Sequence, residues 1–514
     1  MTPRRVKAEY LDQVLPEYQD NPLIMALPDI MSAEETLFCL TRTPVYGKEE
    51  RKLDAKYRLH CLSRLLHDYY QPLAQHLDIE NRISVCLRQG YRNRNPLERQ
   101  YNLMVNESYA AMVEKRAVRP VPGYHPNASG FTIIGVSGVG KSTAVESILY
   151  QYPQVIEHTE FRGKLFPATQ IVWLKLDTPH EGSRGELCYR FFKAVDDAVG
   201  SEYFDQYKKS RITIDSMLTL MQRIAQEYSL GLLVVDEVQH LSLAKGGSDA
   251  MLNFFVTLVN TIGVPVILIG TSKAMPILQG QFRQARRSSG HGDLVWNRMK
   301  KERSWITFVE SMWKYQWICS DVPLTAGMLD AVYEETQGII VLAVVLYVLI
   351  QEDAIRSERE SFGVDDIGRV AREKMALVQP MLKALREDNK KEIDKYEDIT
   401  EILVEQVSAG IRRELQKPLK QPAAKAFERI RDEVLEYFVK LRKQPEKVEA
   451  FIEQAYRETG APDFVVIAER VYDLVKQDEA AAGEAAREGA AEAALAGKGH
   501  SALSKDGLVD NEKW

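Results

Sequence analysis

The stretch Phe131-Thr-Ile-Ile134-Gly135-Val-Ser137-Gly138-Val139-Gly140-Lys141-Ser142-Thr143 decides the fold. Phe131–Ile134 reads as a short buried strand, and a helical stretch follows from Thr143 onward. Between them lies a complete GxxxxGK[ST] phosphate loop in the strand–loop–helix context that gives this motif its meaning. Glycines let the backbone wrap closely round a polyanion, where a Cβ would block the approach. Successive N–H groups and the helix N-terminus then point at the phosphates. The candidate nucleotide contacts are therefore Gly135, Ser137, Gly138, Val139, Gly140, Lys141, Ser142 and Thr143. Lys141 supplies a point charge to the β- and γ-phosphates, and Ser142 offers a hydroxyl to Mg²⁺.

Ninety-five residues beyond Lys141, Leu232-Leu-Val-Val-Asp236-Glu237 places two carboxylates after an apolar run. This is the Walker B pattern, and the run reads as a central strand ending at the ligand crevice. Asp236 is the expected Mg²⁺ partner. Glu237 is the expected general base for the attacking water. A further run, Val264-Pro-Val-Ile-Leu-Ile269, ends in Gly270-Thr271. Near-continuous apolar runs are how strands buried on both faces of a parallel sheet read. Five are expected: Phe131–Ile134, Ile171–Leu176, Leu232–Val235, Val266–Ile269 and Trp305–Val309. With helices between them they predict a doubly wound α/β domain.

Four regions emerge. Residues 1–128 form an N-terminal region ending in the Pro-rich strap Arg119–Pro126. Residues 129–310 form the α/β core. Residues 311–476 read as helices, including an amphipathic stretch at 424–441, and residues 477–514 read as an Ala-, Gly- and Glu-rich flexible tail. The chain has 514 residues, 45% hydrophobic and 27% charged, which excludes a wholly disordered or fibrous protein. The longest apolar run, Ile339–Ile350, is too short to cross a bilayer. The five cysteines form no CxxC pair, and the N-terminus shows no apolar leader, so a cytoplasmic protein is expected. At a net charge of −6, any nucleic acid must be met by local basic patches. Residues 82–119 carry eight Lys/Arg against three Asp/Glu, and residues 273–314 carry nine against three. Either patch could equally be a solvated face or a subunit interface.

In its paired motifs the core resembles AAA+ ATPases. Within them it resembles the TnsC family, the ATP-dependent target-selection regulators of heteromeric-transposase DNA transposons, with the MuB and TniB types more distant. The resemblance spans roughly residues 10–390. It rests on Glu17-Tyr-Gln-Asp-Asn-Pro-Leu-Ile24, Asp68-Tyr-Tyr-Gln-Pro-Leu73, Arg82-Ile-Ser-Val, Gly90-Tyr91, Arg94-Asn-Pro96, Tyr152-Pro-Gln-Val-Ile156, Gly231–Leu241, Met251–Val256 and Ala285-Arg286-Arg287. The resemblance implies an AAA+ P-loop sheet with an N-terminal extension and a C-terminal helical lid, using ATP and Mg²⁺. It gives Thr271 a sensor role toward the γ-phosphate or the lytic water. It points to an arginine finger among Arg286, Arg287 and Arg283 that reaches a neighbouring subunit. The usual lid arginine is missing where Gln337-Gly-Ile-Ile340 leads into the apolar helix. As partners the resemblance implies duplex DNA bound without sequence preference, copies of the same chain in a ring or filament, transposase subunits, and a target-site selector of the TnsD/TniQ type. Family geometry directs DNA to Arg184, Lys208 and Lys209. The N-terminal region would meet the selector and the tail the transposase. The competing reading is an AAA+ initiator or helicase loader, for which a C-terminal winged helix with strands would speak.

Overall fold

The computed structural model describes residues 4–114, 116, 119, 121–122, 130–181, 183–210, 212–243, 254, 263–275, 292–393, 402–408, 431–432, 434–436, 445–459 and 466–478. The chain divides into two compact units, Met1–Lys417 and Pro418–Trp514.

The first unit is built on strands β1 (Arg5–Lys7), β2 (Phe131–Gly135), β3 (Val155–Phe161), β4 (Lys164–Ile171), β5 (Trp173–Asp177), β6 (Leu232–Asp236), β7 (Val266–Gly270) and β8 (Asp293–Trp296). Five of them make one sheet in the order β5-β6-β7-β2-β8, with every pairing parallel. Strands alternate their side chains between faces. Leu232 and Val234 therefore enter one core with Phe131, Ile133, Ile267 and Ile269, while Leu233 and Val235 enter another with Leu174, Leu176 and Leu268. Helices α4 (Arg184–Val199) and α5 (Ile214–Glu227) cover the second face through Leu187, Phe191, Phe192, Met217 and Met221. Each starts at a side-chain cap, Ser183 Oγ accepting from Glu186 N at 3.2 Å and Thr213 Oγ1 from Ser216 N at 3.3 Å.

The first face is covered by α3 (Lys141–Leu149) and by the N-terminal region, whose longer helices include α1 (Ala55–His67) and α2 (Ala74–Arg92), the second of which lies on this face. Helix α2 sends Ile79, Ile83, Leu87 and Tyr91 into the same core, joined by Leu23, Ile24 and Leu27. Asn21 Nδ2 donates to Tyr91 O at 2.9 Å, Tyr91 Oη to Ser229 O at 2.9 Å, and Arg94 to Leu230 O at 2.6 Å. At Gly90 a Cβ would come within 2.6 Å of the Pro265 ring, so only glycine allows this approach.

Two expectations need correction. Trp305–Val309 is no strand but part of helix α6 (Arg303–Trp313), and the fifth strand is β8, Asp293–Trp296. Trp305, Phe308, Val309, Met312 and Trp313 are buried at helical spacing, a period that an eye fixed on the β-branched run overlooks. The run Ile171–Leu176 is divided at Val172, whose amide turns to Gln154 O at 2.9 Å. Ile171 ends an antiparallel hairpin with β3, and Trp173 starts the parallel pairing with β6.

Helices α7 (Ala326–Thr336), α8 (Ile340–Arg356) and α9 (Val364–Lys374) form the lid. Twelve of the 17 residues of α8 are buried, and it packs on α1. Arg58 grips Glu360 with two hydrogen bonds of 2.6 Å, and Trp317 Nε1 donates to Glu50 Oε2 at 2.9 Å. The N-terminal region thus packs on both the sheet and the lid, within one compact unit with them. In the second unit, α10 (Pro445–Thr459) and the helical stretch 466–478 bury Val448, Ile452 and Ala455 against Ile467, Val471 and Leu474. Most of the amphipathic stretch 424–441 and all of the tail from residue 479 lie outside the described residues.

Removing residues 1–40 deletes Tyr18, Leu23, Ile24, Leu27 and Leu40 from the core. At about 1.5–3 kcal/mol each this approaches the whole stability of a domain. The truncated chain should lose cooperative unfolding in calorimetry; a soluble, ATP-binding truncation would show the region to be separable. A second prediction concerns pH. The buried His76 ring accepts from Leu73 N at 2.8 Å and lies edge-on to Trp296, and burial lowers its pKa to about 4. The folded state therefore favours neutral His76. Its contribution is complete above pH 6.5, erodes as the unfolded chain protonates below that, and is gone near pH 4, a loss of about 3 kcal/mol. In denaturant titrations His76→Asn should lack this component of the acid slope.

Candidate active site

The C-terminal ends of β2, β6 and β7 meet at a cavity of about 560 Å³. The phosphate loop frames one side. Gly140 sits at φ 95°, a left-handed conformation that starts α3 and that a side chain would strain. Lys141 is buried, and its Nζ donates to Gly135 O at 3.0 Å and Val136 O at 2.9 Å. The cavity is lined by Ser137, Gly138, Gly140, Lys141, Ser142 and Thr143 from the loop, and by Asp236, Glu237 and Thr271 from the strand ends. Thr271 N donates to Gln239 Oε1 at 3.2 Å. Of the expected loop contacts, Gly135 closes β2 and Val139 is a core residue on the sheet's first face.

Asp236 is buried, with Oδ1 accepting from Glu237 N at 2.8 Å and Oδ2 3.3 Å from Lys175 Nζ. Burial works against the Lys175 charge, but Asp236, Asp177 and Glu146 outweigh it and hold the amine above the usual lysine value. Thr178, just past β5, donates from Oγ1 to Asp236 O at 2.7 Å, fixing the strand end. Glu237 has φ 55°, a left-handed backbone in a non-glycine residue. Such a conformation costs about 1–2 kcal/mol, and it turns the chain sharply from β6 into a 3₁₀ helix, Val238–Leu243. Burial raises the Glu237 carboxyl above its usual pKa. Asp236 and Asp177 push the same way, and the imidazoles of His240 and His180 pull back.

The cavity has a second, less polar end that sequence reasoning did not assign. Leu65, His67, Tyr69 and Tyr70 come from the end of α1 and the chain just after it, Arg42 from the N-terminal region, and Ile340, Val341, Val344 and Val345 from α8. Arg42 and Tyr70 exchange backbone hydrogen bonds of 3.0 and 2.9 Å, and the guanidinium lies 4.8 Å from the Tyr70 ring centroid. The only trace of this wall in the sequence is the Asp68-Tyr-Tyr-Gln-Pro-Leu73 stretch, whose local pattern names no ligand. An apolar and aromatic end beside a glycine-rich, cationic end suits a nucleotide. Ser142 and Asp236 supply the oxygen donors that Mg²⁺ prefers, with room for water and phosphate oxygens in the same cavity.

Arg184 is the first residue of α4. Lys208 and Lys209 close the short helix Tyr203–Lys209, both exposed, Lys208 lying 4.6 Å from the Phe204 ring centroid. None of the three lines the cavity. Arg283, Arg286 and Arg287 lie outside the described residues.

The AAA domain family matches residues 126–278. No curated protein matches the chain. Among solved structures it is similar to the ORC1 protein of Aeropyrum pernix in complex with DNA, at 16% identity, covering 64% of this chain and 86% of that one, with a TM-score of 0.35. It is also similar to a Walker-type ATPase of Pyrococcus abyssi, at 12% identity, covering 58% and 78%, with a TM-score of 0.33. A third is Cdc6p of Pyrobaculum aerophilum, at 10% identity, covering 63% and 90%, with a TM-score of 0.34. The fold is the AAA+ P-loop fold, the activity is ATP hydrolysis, and the cofactors are ATP and Mg²⁺.

Lys141→Ala should abolish binding of a fluorescent ATP analogue. Glu237→Gln should keep that binding while phosphate release falls by about 10²–10⁴-fold, the usual contribution of a general base. Full turnover by Glu237→Gln would move the base elsewhere.

Proposed function

We propose that this ATPase is a regulator of DNA transposition that assembles on duplex target DNA in its ATP state and bridges a target-site selector to the transposase. Lys141 and the loop amides hold the phosphates, Ser142 and Asp236 hold Mg²⁺, Glu237 activates water, and Thr271 reports the γ-phosphate. The observation that carries assembly is the lid wall of the cavity. Among the described residues it offers Ile340, Val341, Val344 and Val345 and no arginine. An arginine at the γ-phosphate stabilises the transition-state charge and speeds hydrolysis by about 10³–10⁵-fold. The segment Arg283–Arg287 of a neighbouring copy would supply it, which makes ATP the glue between subunits. Hydrolysis then loosens the assembly and releases the DNA, the basis of target immunity.

The transposition reading rests on the sequence stretches shared with TnsC-type regulators. In the structure several of these, Asn21, Gly90, Tyr91 and Arg94, hold the N-terminal region to the sheet. The selector would therefore dock on the outer surface of a region that is itself part of the ATPase. The tail from residue 477 would engage the transposase. Arg184, Lys208 and Lys209 are the proposed DNA contacts. The rival initiator or helicase-loader reading calls for a C-terminal domain with strands. The described residues between 303 and 478 carry helices and no strand. No helix among the described residues is long and apolar enough to cross a membrane.

Affinity for DNA should depend on salt and hardly on sequence, since backbone contacts dominate. With 6–10 phosphates neutralised per assembly, binding should fall by about 10³–10⁵-fold between 50 and 200 mM salt. Glu237→Gln with ATP should stay on DNA far longer than the wild-type protein. A strong preference for one duplex sequence at fixed salt, or equal release of both proteins, would contradict the reading.

A further inference from the structure

Beside the Mg²⁺ residues the structure gathers a second set of ligands of a different chemical kind. His180, Glu237 and His240 place one ring nitrogen or carboxylate oxygen each within 4.8 Å of one another. The placement follows from the backbone. Strands β5 and β6 run in parallel register with Asp177 beside Asp236, and Thr178 is bonded to Asp236 O, so the turn that carries His180 is fixed next to Glu237. Residues three apart on a 3₁₀ helix eclipse one another. Glu237 and His240 are so spaced across the start of Val238–Leu243, with His240 N donating to Glu237 O at 3.1 Å. His240 is buried. Its Nδ1 has no hydrogen-bond partner among the described residues, and Glu237 Oε2 stands 3.5 Å away. The two imidazole centroids are 4.6 Å apart.

We propose that His180, Glu237 and His240 form a site for a borderline divalent transition metal, Zn²⁺ above all, that arrests hydrolysis by taking the lytic carboxylate as a ligand. Two imidazoles and one carboxylate suit Zn²⁺ and its neighbours, whereas Mg²⁺ keeps to oxygen donors such as Ser142 and Asp236. Ligand atoms round a tetrahedral Zn²⁺ stand about 3.4 Å apart. The difference from the present spacing is within reach of side-chain rotation, since His180 is exposed. Metal binding stands on this geometry alone. The arrest rests on Glu237 being the general base. A bound metal holds the carboxylate lone pair that would accept a proton from water, while the phosphate loop and the Mg²⁺ ligands are left in place. The zinc-loaded protein would then bind ATP without turning it over, as is expected of Glu237→Gln.

The test uses the full chain with Mg²⁺ present and Co²⁺ as a spectroscopic probe. One Co²⁺ per chain should give a visible d–d band that one equivalent of Zn²⁺ removes. His180→Ala, a change at an exposed position, should weaken Co²⁺ binding by at least about tenfold. Zn²⁺ should inhibit wild-type hydrolysis reversibly, with chelator restoring it, and should not weaken binding of the fluorescent ATP analogue. Measured against its own rate in Mg²⁺ alone, His180→Ala should need at least about tenfold more Zn²⁺ for the same inhibition. Absence of the Co²⁺ band, or unchanged Co²⁺ and Zn²⁺ responses in His180→Ala, would overturn the site. A Co²⁺ band that depends on His180, with hydrolysis insensitive to Zn²⁺, would uphold the site and overturn Glu237 as the base.

Discussion

A parallel sheet must be covered on both faces, and in this chain much of the cover of one face is supplied by residues that precede the phosphate loop by roughly 40 to 110 positions. Helix α2 and the segment round Leu23 seal Phe131, Ile133, Val234, Ile267 and Ile269 from water. Everything at the site hangs on that seal. Strands β2, β6 and β7 are buried throughout, so their C-terminal ends are the places where polar groups can emerge, and Asp236, Glu237 and Thr271 emerge there together. The same N-terminal region then reaches the lid through Arg58 and Glu360 and the cavity through Arg42 and Tyr70. One segment thus touches the sheet, the nucleotide cavity and the lid, and motion of the lid on nucleotide binding would be felt by the segment proposed to meet a partner.

The proposed roles place two tasks within one residue of each other. Asp236 is buried and held by the Glu237 amide and the Lys175 amine, a rigid setting for a metal ligand. Glu237, by contrast, stands on a left-handed backbone and is more open, with imidazoles on its far side. A base must meet water, so it cannot be locked as firmly as the ligand that precedes it.

Much of this was legible in the sequence, for definite reasons. The phosphate loop and the Leu232–Glu237 run have fixed spacing because the chemistry constrains them, and both fall where the pattern puts them. Four of the five expected strands are present, with Ile171–Leu176 divided at Val172. The fifth failed because Trp305–Val309 satisfies two periods at once, and tertiary burial chose the helical one. Strand β8 was illegible because Asp293-Leu-Val-Trp296 is short and lies in a basic segment. The N-terminal motifs were visible as unusual but not as structural, since Asn21, Gly90 and Arg94 act on residues 70 to about 175 positions away. The less polar wall of the cavity, with Arg42 and Tyr70, was hidden for the same reason. The His180–Glu237–His240 group had half a signal in the three-residue step from Glu237 to His240, and its other half came only from strand pairing.

The central claim is that ATP binding, with the cavity completed by a neighbour, drives assembly on DNA. Electron microscopy of the full chain with duplex DNA tests it most directly. With a non-hydrolysable ATP analogue the account predicts ordered rings or filaments around the duplex, with an arginine of the 283–287 segment of one subunit at the γ-phosphate of the next; with ADP it predicts bare DNA. Isolated monomers on DNA in the ATP-analogue state, or equal assembly with ADP, would contradict it.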